Sequence, residues 1–129
     1  MQNKMYTDAI MERFRNPHHM GQIEDADGIG KVGNPTCGDV MKVYIKIKKE
    51  NGVEILEDIK VQTFGCVGAI SSSDMLCDMV KGKPLTEALA VKNSDIVEKL
   101  PGMPKEKIHC SVLAADALKK AVEDYRSRA

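Results

Sequence analysis

Met41-Lys42-Val43-Tyr44-Ile45-Lys46-Ile47-Lys48 alternates without a break. Met41, Val43, Ile45 and Ile47 point one way; Lys42, Tyr44, Lys46 and Lys48 point the other. A period of two marks a strand with one face on a core and one in water. Asn51-Gly52 follows, a pair suited to the positive backbone angles of a tight hairpin. The return strand runs to about Phe64, with Ile59, Val61 and Thr63 alternating against Lys60 and Gln62. This hairpin predicts a small antiparallel sheet with one face in need of cover.

The remainder supplies the cover. Met5, Ala9, Ile10 and Phe14 fall on one helical face, and Asn16-Pro17 ends that segment, because proline disfavours helical backbone in the residue before it. His18 and His19 follow in a loop and read as surface residues. Gly28-Ile29-Gly30-Lys31-Val32-Gly33 has neither the spacing nor the following helix of a phosphate-binding loop. It reads as an edge strand with flexible ends. Ala69, Ile70, Ser73, Leu76, Cys77 and Val80 form one helical stripe, which Gly82-Lys83-Pro84 stops. Short helices are expected near Leu85–Ala90 and Asp95–Leu100, the second with Ser94 as N-cap. Pro101-Gly102-Met103-Pro104 is a rigid connector. Ser111, Ala114, Ala115, Leu118, Ala121, Val122 and Tyr125 share one face of a last helix. Strands first and helices after predict an α+β fold, with helices packed mainly on one face of the sheet.

Composition narrows the function. A chain of 129 residues is the length of one domain, taken here as residues 1–129. It can bury roughly two-thirds of its unfolded surface without help from disulfides or metal. Lys+Arg and Asp+Glu both number 19, so the formal net charge is zero. That balance argues against nucleic acid as the main partner. Aromatic residues make up 4%, which disfavours base stacking. No apolar signal core and no run of about 20 apolar residues is present, so no membrane partner is expected and a cytoplasmic chain is. In that compartment thiols stay reduced.

Three of the four cysteines stand in small-residue stretches: Asn34-Pro35-Thr36-Cys37-Gly38-Asp39, Phe64-Gly65-Cys66-Val67-Gly68 and Lys107-Ile108-His109-Cys110-Ser111. They are 29 and 44 residues apart, so only the fold could bring them together. Cys37 and Asp39 are expected in the loop entering the first long strand. Cys66 is expected between a strand and a helix, and Cys110 at the start of the last helix. Helix N-termini stabilise thiolates, as metal binding and sulfur chemistry both require. Gly38 and Gly65 suit close backbone approach. Three thiolates with Asp39 and His109 beside them make an iron or zinc site. His109 suits direct ligation, a hydrogen bond to sulfur, or a partly buried place at the helix start. Cys77, on an apolar stripe, reads as core.

No Cys-x-x-Cys pair of the kind common in structural zinc sites is present. A stable [2Fe–2S] electron carrier usually has four cysteine ligands. Here the fourth would be Asp39 or His109, and a hard carboxylate holds a cluster iron less tightly. Weak fourth ligation suits a protein that builds a cluster and then releases it.

The motifs resemble those of the U-type iron–sulfur cluster assembly scaffolds, the IscU/NifU N-terminal domain family. The resemblance runs from Tyr6-Thr7 and Asn16-Pro17 through Val32 to Asp39, Phe64-Gly65-Cys66, Ala69-Ile70-Ser71-Ser72-Ser73, Lys81-Gly82-Lys83 and His109-Cys110-Ser111 to near Tyr125. It implies a three-stranded sheet covered by helices, with the site at one end. It implies that Cys37, Cys66 and Cys110 bind iron and cluster, with Asp39 and His109 as auxiliary ligands and zinc able to use the same set. Cys110 matches the family's sulfur acceptor, and Lys107 a lysine that pairs near the site when metal is absent. The implied role is a scaffold and not an enzyme. The implied partners are a cysteine desulfurase, a ferredoxin-like electron donor and recipient apo-proteins or carriers. The scaffold would be a monomer or a cluster-bearing homodimer.

Two departures stand out. Val67 replaces the family's usual small residue after the second cysteine. Met103-Pro104-Lys105-Glu106-Lys107 replaces the Leu-Pro-Pro-Val-Lys segment that a dedicated chaperone binds, and a hydrophobic clamp would have to desolvate Lys105 and Glu106. Two other functions fit the same residues. One is a zinc-binding sulfur-transfer protein with Cys110 as persulfide acceptor; the other is an interaction module with an incidental metal site.

Overall fold

The computed structural model describes residues 7–34, 39–64, 67–100, 102 and 113–128, apart from the side chains of Asn34, Asp39 and Phe64. Strands β1 (Gly28–Asn34), β2 (Asp39–Glu50) and β3 (Val53–Phe64) form one antiparallel sheet in the order β1-β2-β3. Five helices are described: α1 (Asp8–Arg15), α2 (Val67–Val80), α3 (Leu85–Ala90), α4 (Asn93–Lys99) and α5 (Ala114–Arg128). The fold is α+β, as the strand-then-helix order predicts. No described helix is long and apolar enough to cross a membrane.

The β2–β3 hairpin turns at Asn51 (φ +52°) and Gly52 (φ +80°), the backbone that an Asn-Gly pair favours. A bulge between Lys46 and Ile47 shifts its register. Met41, Val43, Ile45, Leu56, Ile59 and Val61 are buried on one face. Each such side chain contributes roughly 1.5–3 kcal/mol by leaving water. α5 covers β1 and β2 on that face, and α2 covers β3.

Both edges of the sheet are covered in part. Beyond β1, the Ile29 N–H donates to the Asp124 carboxylate at 2.9 Å. Arg128 pairs with that carboxylate at 2.8 Å and donates to the Ala26 carbonyl. Beyond β3, the Val61 N–H donates to the His19 carbonyl, and the Gly21 N–H to the Val61 carbonyl. The Ile59 N–H is satisfied by its neighbour Asp58, and Leu56 pairs with Gly82 and Lys83. At these positions the edge groups are no longer free to pair with another chain.

Gly28 and Gly30 are there for contact, and flexible ends do not explain them. A Cβ on Gly30 would lie 2.2 Å from the Ala117 carbonyl oxygen and 2.3 Å from the Ala121 nitrogen. A Cβ on Gly28 would lie 2.2 Å from the Ala121 oxygen. All three are backbone atoms. Ala117 therefore belongs to the buried face of α5, together with Ala114, Leu118, Ala121 and Val122, while Ala115 is only half-buried.

α2 is buried almost all round. Ala69, Ser73, Leu76, Cys77 and Val80 face the core as their spacing predicts, and Ile70 is half-buried. Ser71, Ser72 and Asp74 are buried as well, because α1 packs on the far side of α2. The Ser71 hydroxyl donates to the Ile10 carbonyl at 2.9 Å. Of the predicted α1 stripe, Ile10 is buried, Phe14 half-buried and Ala9 exposed; Met5 lies outside the described residues.

His19 is buried at 8% exposure, against the expectation of a surface residue; His18 is exposed as expected. The cause is Asp74, which is 0% exposed. One of its carboxylate oxygens accepts the His18 and His19 backbone N–H groups at 2.9 and 2.8 Å. Its other oxygen accepts from Arg13 at 2.9 Å. Asp78, one turn on, accepts from Arg13 at 2.5 Å and lies 2.7 Å from His19 Nε2. This clasp holds α1 and the turn after it against α2.

α4 begins at Asn93 rather than near Asp95, and Ser94 is not its N-cap. Lys92 takes that position, its N–H bonded to the Asp95 carboxylate at 2.9 Å. Asn93 instead reaches α5. It accepts the Ala115 N–H at 3.2 Å and donates to Asp116.

Gly30→Ala is expected to cost about 3 kcal/mol or more, since the atoms in the way are main chain and cannot rotate aside. Urea unfolding followed by circular dichroism checks this. Burial by itself pushes the Asp78 carboxyl up, but the hydrogen bonds from His19 and Arg13 outweigh it and hold the carboxyl below the ordinary range. A carboxyl depressed in the folded state stabilises the fold above its unfolded value, near pH 4, and that contribution disappears as pH falls through the folded value. Asp78→Asn should therefore flatten the acid limb of the stability–pH curve below about pH 4 and change its slope little near pH 7.

Candidate functional site

Cys37, Cys66, Lys107, His109 and Cys110 lie outside the described residues, as does the side chain of Asp39. Their flanking residues are placed. Asp39 is the first residue of β2, already in the strand and not in the loop before it, and it stands in register opposite Asn34. The chain thus leaves the sheet at Asn34 before Cys37 and re-enters beside the same point. Phe64, the last residue of β3, is in register with Val40. The residues flanking Cys37 and Cys66 therefore meet at one end of the sheet.

The glycine contacts fix the direction of α5. Gly28 meets Ala121 and Tyr125, whereas Gly30, further along β1, meets Ala117 and Ala121. The helix therefore runs antiparallel to β1. At about 1.5 Å per helical residue and 3.3 Å per strand residue, Ala114 lies toward the Asn34 end. This helix begins at Ala114, with Leu113 outside it, so Cys110 lies four residues before its first residue and not at its start as expected.

α2 starts at Val67, directly after Cys66, and runs away from that end. Gly82 and Lys83, just beyond it, bond to Leu56 at the far part of β3. Two helices thus start at the same end of the sheet, and their N-termini carry partial positive charge.

α1 completes the frame. Its Ile10 meets Ser71, and its Arg13 meets Asp74 and Asp78, so α1 and α2 run in the same sense. Thr7, which caps α1 by accepting the Ile10 N–H, therefore lies toward the Val67 end. Gly102 rests on Thr7: a Cβ there would come within 2.1 Å of Thr7 Cγ2, and its φ of +97° also favours glycine. Gly102, on the near side of Lys107, His109 and Cys110 in sequence, thus rests on Thr7, and Ala115, on the far side, bonds to Asn93.

Among the described residues, no three His, Cys, Asp or Glu side chains gather to hold a metal. Cys77 is 0% exposed, and burial with Asp74 and Asp78 nearby pushes its thiol up, so it stays protonated. It is core, as its stripe position predicts.

The anchors themselves escape the sequence reading. Arg13, Asp74 and Asp78 leave a trace, because two carboxylates one helical turn apart on a mostly apolar helix imply cations across from them. Asn93 and Thr7 leave none; polar residues at such positions are read as local caps.

The chain matches the family described as NifU-like N terminal domain over residues 5–129. It is 53% identical over 121 residues to "Iron-sulfur cluster assembly scaffold protein IscU 1" of Archaeoglobus fulgidus, covering 94% of this chain and 76% of that one. It is 46% identical over 126 residues to the Escherichia coli K12 protein named as an IscU scaffold, covering 95% of both. A crystal structure of the N-terminal part of a NifU-like protein from Brucella abortus superposes with a TM-score of 0.75 at 21% identity, over 97% of this chain and 96% of that one; it supports the fold. The residues matched and the share of both chains covered agree: this chain belongs to the NifU-like N-terminal domain family.

Proposed function

We propose that the chain is a scaffold on which a [2Fe–2S] cluster is built and from which it passes to apo-proteins. One observation carries the reading. The residues flanking Cys37 and Cys66 meet at one end of the sheet, and Ala114, the described helix start after Cys110, lies toward that same end. The names of the related proteins support the same role.

In this reading Cys37, Cys66 and Cys110 supply thiolates to the iron, and Asp39 or His109 takes the remaining position. The cluster is cargo, so its fourth ligand must hold and then let go. A carboxylate does both, being a hard donor to a soft cluster iron. Sulfur arrives from a cysteine desulfurase. The Cys110 thiolate attacks the outer sulfur of the donor persulfide, forming a new S–S bond and releasing the donor thiolate. Two electrons from a ferredoxin-like donor then break that bond, giving sulfide for the cluster and restoring the thiolate. Lys107, two residues before His109, balances negative charge at the site before metal arrives. Recipient apo-proteins or carriers take the finished cluster. The chain acts as a monomer or as a homodimer sharing the cluster, in the cytoplasm, and turns over no small-molecule substrate.

Anaerobic reconstitution of chelator-treated protein with ferrous iron and sulfide should give visible charge-transfer bands. Cys37→Ser, Cys66→Ser and Cys110→Ser should each remove most of that absorbance. Bands unchanged in all three would refute the assignment. Asp39→Ala should slow cluster loss to a competing chelator by about tenfold, equivalent to about 1.4 kcal/mol of barrier height; faster loss would contradict the release role given to Asp39.

A further inference from the structure

The lysines around the sheet divide into two groups. Lys46 contacts Asp25 at 3.0 Å and Asp27 at 3.8 Å, Lys48 pairs with Glu50 at 3.1 Å, and Lys81 with Asp58 at 3.3 Å. Lys31, Lys42, Lys49 and Lys60 have no carboxylate within 4.0 Å among the described residues. Lys49 stands near the hairpin turn at the other end of the sheet, and two of the remaining three stand near the candidate site. Lys31 is three residues before Asn34, and Lys42 three after Asp39.

Lys31 and Lys42 are direct partners in the β1–β2 register. Like charges opposed in this way destabilise a sheet. The arrangement is also held in place. The Lys42 ammonium stands 5.2 Å from the centre of the Tyr44 ring, and the Tyr44 hydroxyl donates to Gln62 at 2.6 Å. Gln62 is the next residue in the same cross-strand row, and Lys60 stands opposite Tyr44.

We propose that the Lys31–Lys42–Lys60 face docks the acidic surface of a partner protein, whose clustered Asp and Glu side chains bridge Lys31 and Lys42. Charge complementarity selects this occupant. A carboxylate between Lys31 and Lys42 turns a repulsion into two attractions, and a formal net charge of zero leaves no long-range barrier to an acidic protein. Nucleic acid fits less well, because Tyr44 is only 5% exposed and offers no free ring for base stacking. A membrane surface fits less well too: among the described residues the one large exposed hydrophobic side chain, Val53, sits by the hairpin turn at the other end of the sheet. The proposal goes beyond the scaffold role and needs no cluster.

The test is an NMR titration of the metal-free chain with a short poly-L-glutamate peptide at low ionic strength. The largest amide shifts should fall on Lys31, Lys42, Tyr44 and Lys60, and they should shrink as salt is added. Lys31→Glu should weaken binding about tenfold or more. It should also raise the melting temperature, since it replaces a like-charge pair with an opposite-charge pair, so lost binding cannot be blamed on unfolding. Shifts spread evenly over all lysine-bearing surfaces, undiminished binding by Lys31→Glu, or a lower melting temperature would overturn the proposal. Tighter binding of an oligothymidylate at the same residues would overturn it in favour of nucleic acid. Lys31→Glu should reconstitute a cluster as the unaltered chain does, so failure here and failure of the scaffold reading remain separable.

Discussion

The fold depends on one close approach, the backbone of α5 lying on the backbone of β1 at Gly28 and Gly30. No side chain fits between them. That contact sets the direction of α5, and the direction puts Ala114 at the end of the sheet where β1 stops and β2 starts. The same contact places Asp124 to satisfy the outer edge of β1 at Ile29. A single spacing constraint thus satisfies one edge group, completes one side of the core and aims a helix N-terminus. Small residues on both surfaces are the requirement, and they are met by glycine on the strand and by Ala117 and Ala121 on the helix.

Much of this was legible in the chain, because short-range periodicity encodes it. The β2–β3 hairpin, its Asn-Gly turn, the α2 stripe and the core position of Cys77 all follow from patterns within a few residues. The seam did not, because Gly28 and Gly30 look alike whether they confer freedom or permit contact. His19 was misread for a related reason. A histidine after proline in a polar stretch looks solvated, and only Asp74, more than fifty residues away, draws it inside. Asn93 and Ala9 show the same limit, since a cap donated to another helix and an exposed alanine leave no local trace. For the candidate site, the residue types and their glycine neighbours were readable, and the family's motifs were too. Where the described neighbours of those cysteines lie was not, since separations of 29 and 44 residues say nothing about distance in space.

The charged interior of α2 carries the same economy. Asp74 is buried, and a buried carboxylate is costly unless fully paired. It accepts from Arg13 and from two backbone N–H groups, so its desolvation is offset by fixing the turn that leads from α1 to the edge of β3. Met20 then pairs beside Val61, and β3 gains a neighbour along its open side. An apolar residue at position 74 would pack well enough but would leave the His18 and His19 N–H groups without this acceptor.

These anchors share a placement that bears on cargo release. Gly102 on Thr7, Asn93 on Ala115, and Gly30 on Ala117 and Ala121 involve none of the proposed ligands. In the proposed scaffold Cys37, Cys66, His109 and Cys110 belong to connections whose ends join the packed frame, while Asp39 opens β2. A ligand can then be exchanged without disturbing the buried seam, because the seam contacts of Gly28 and Gly30 with α5 include none of the proposed ligands. A four-cysteine site built into strands would hold its cluster more firmly and would couple release to the stability of the sheet. Locating rigidity in the frame and weak ligation in the site separates the two, which is what a protein that must keep its fold while surrendering its cargo requires.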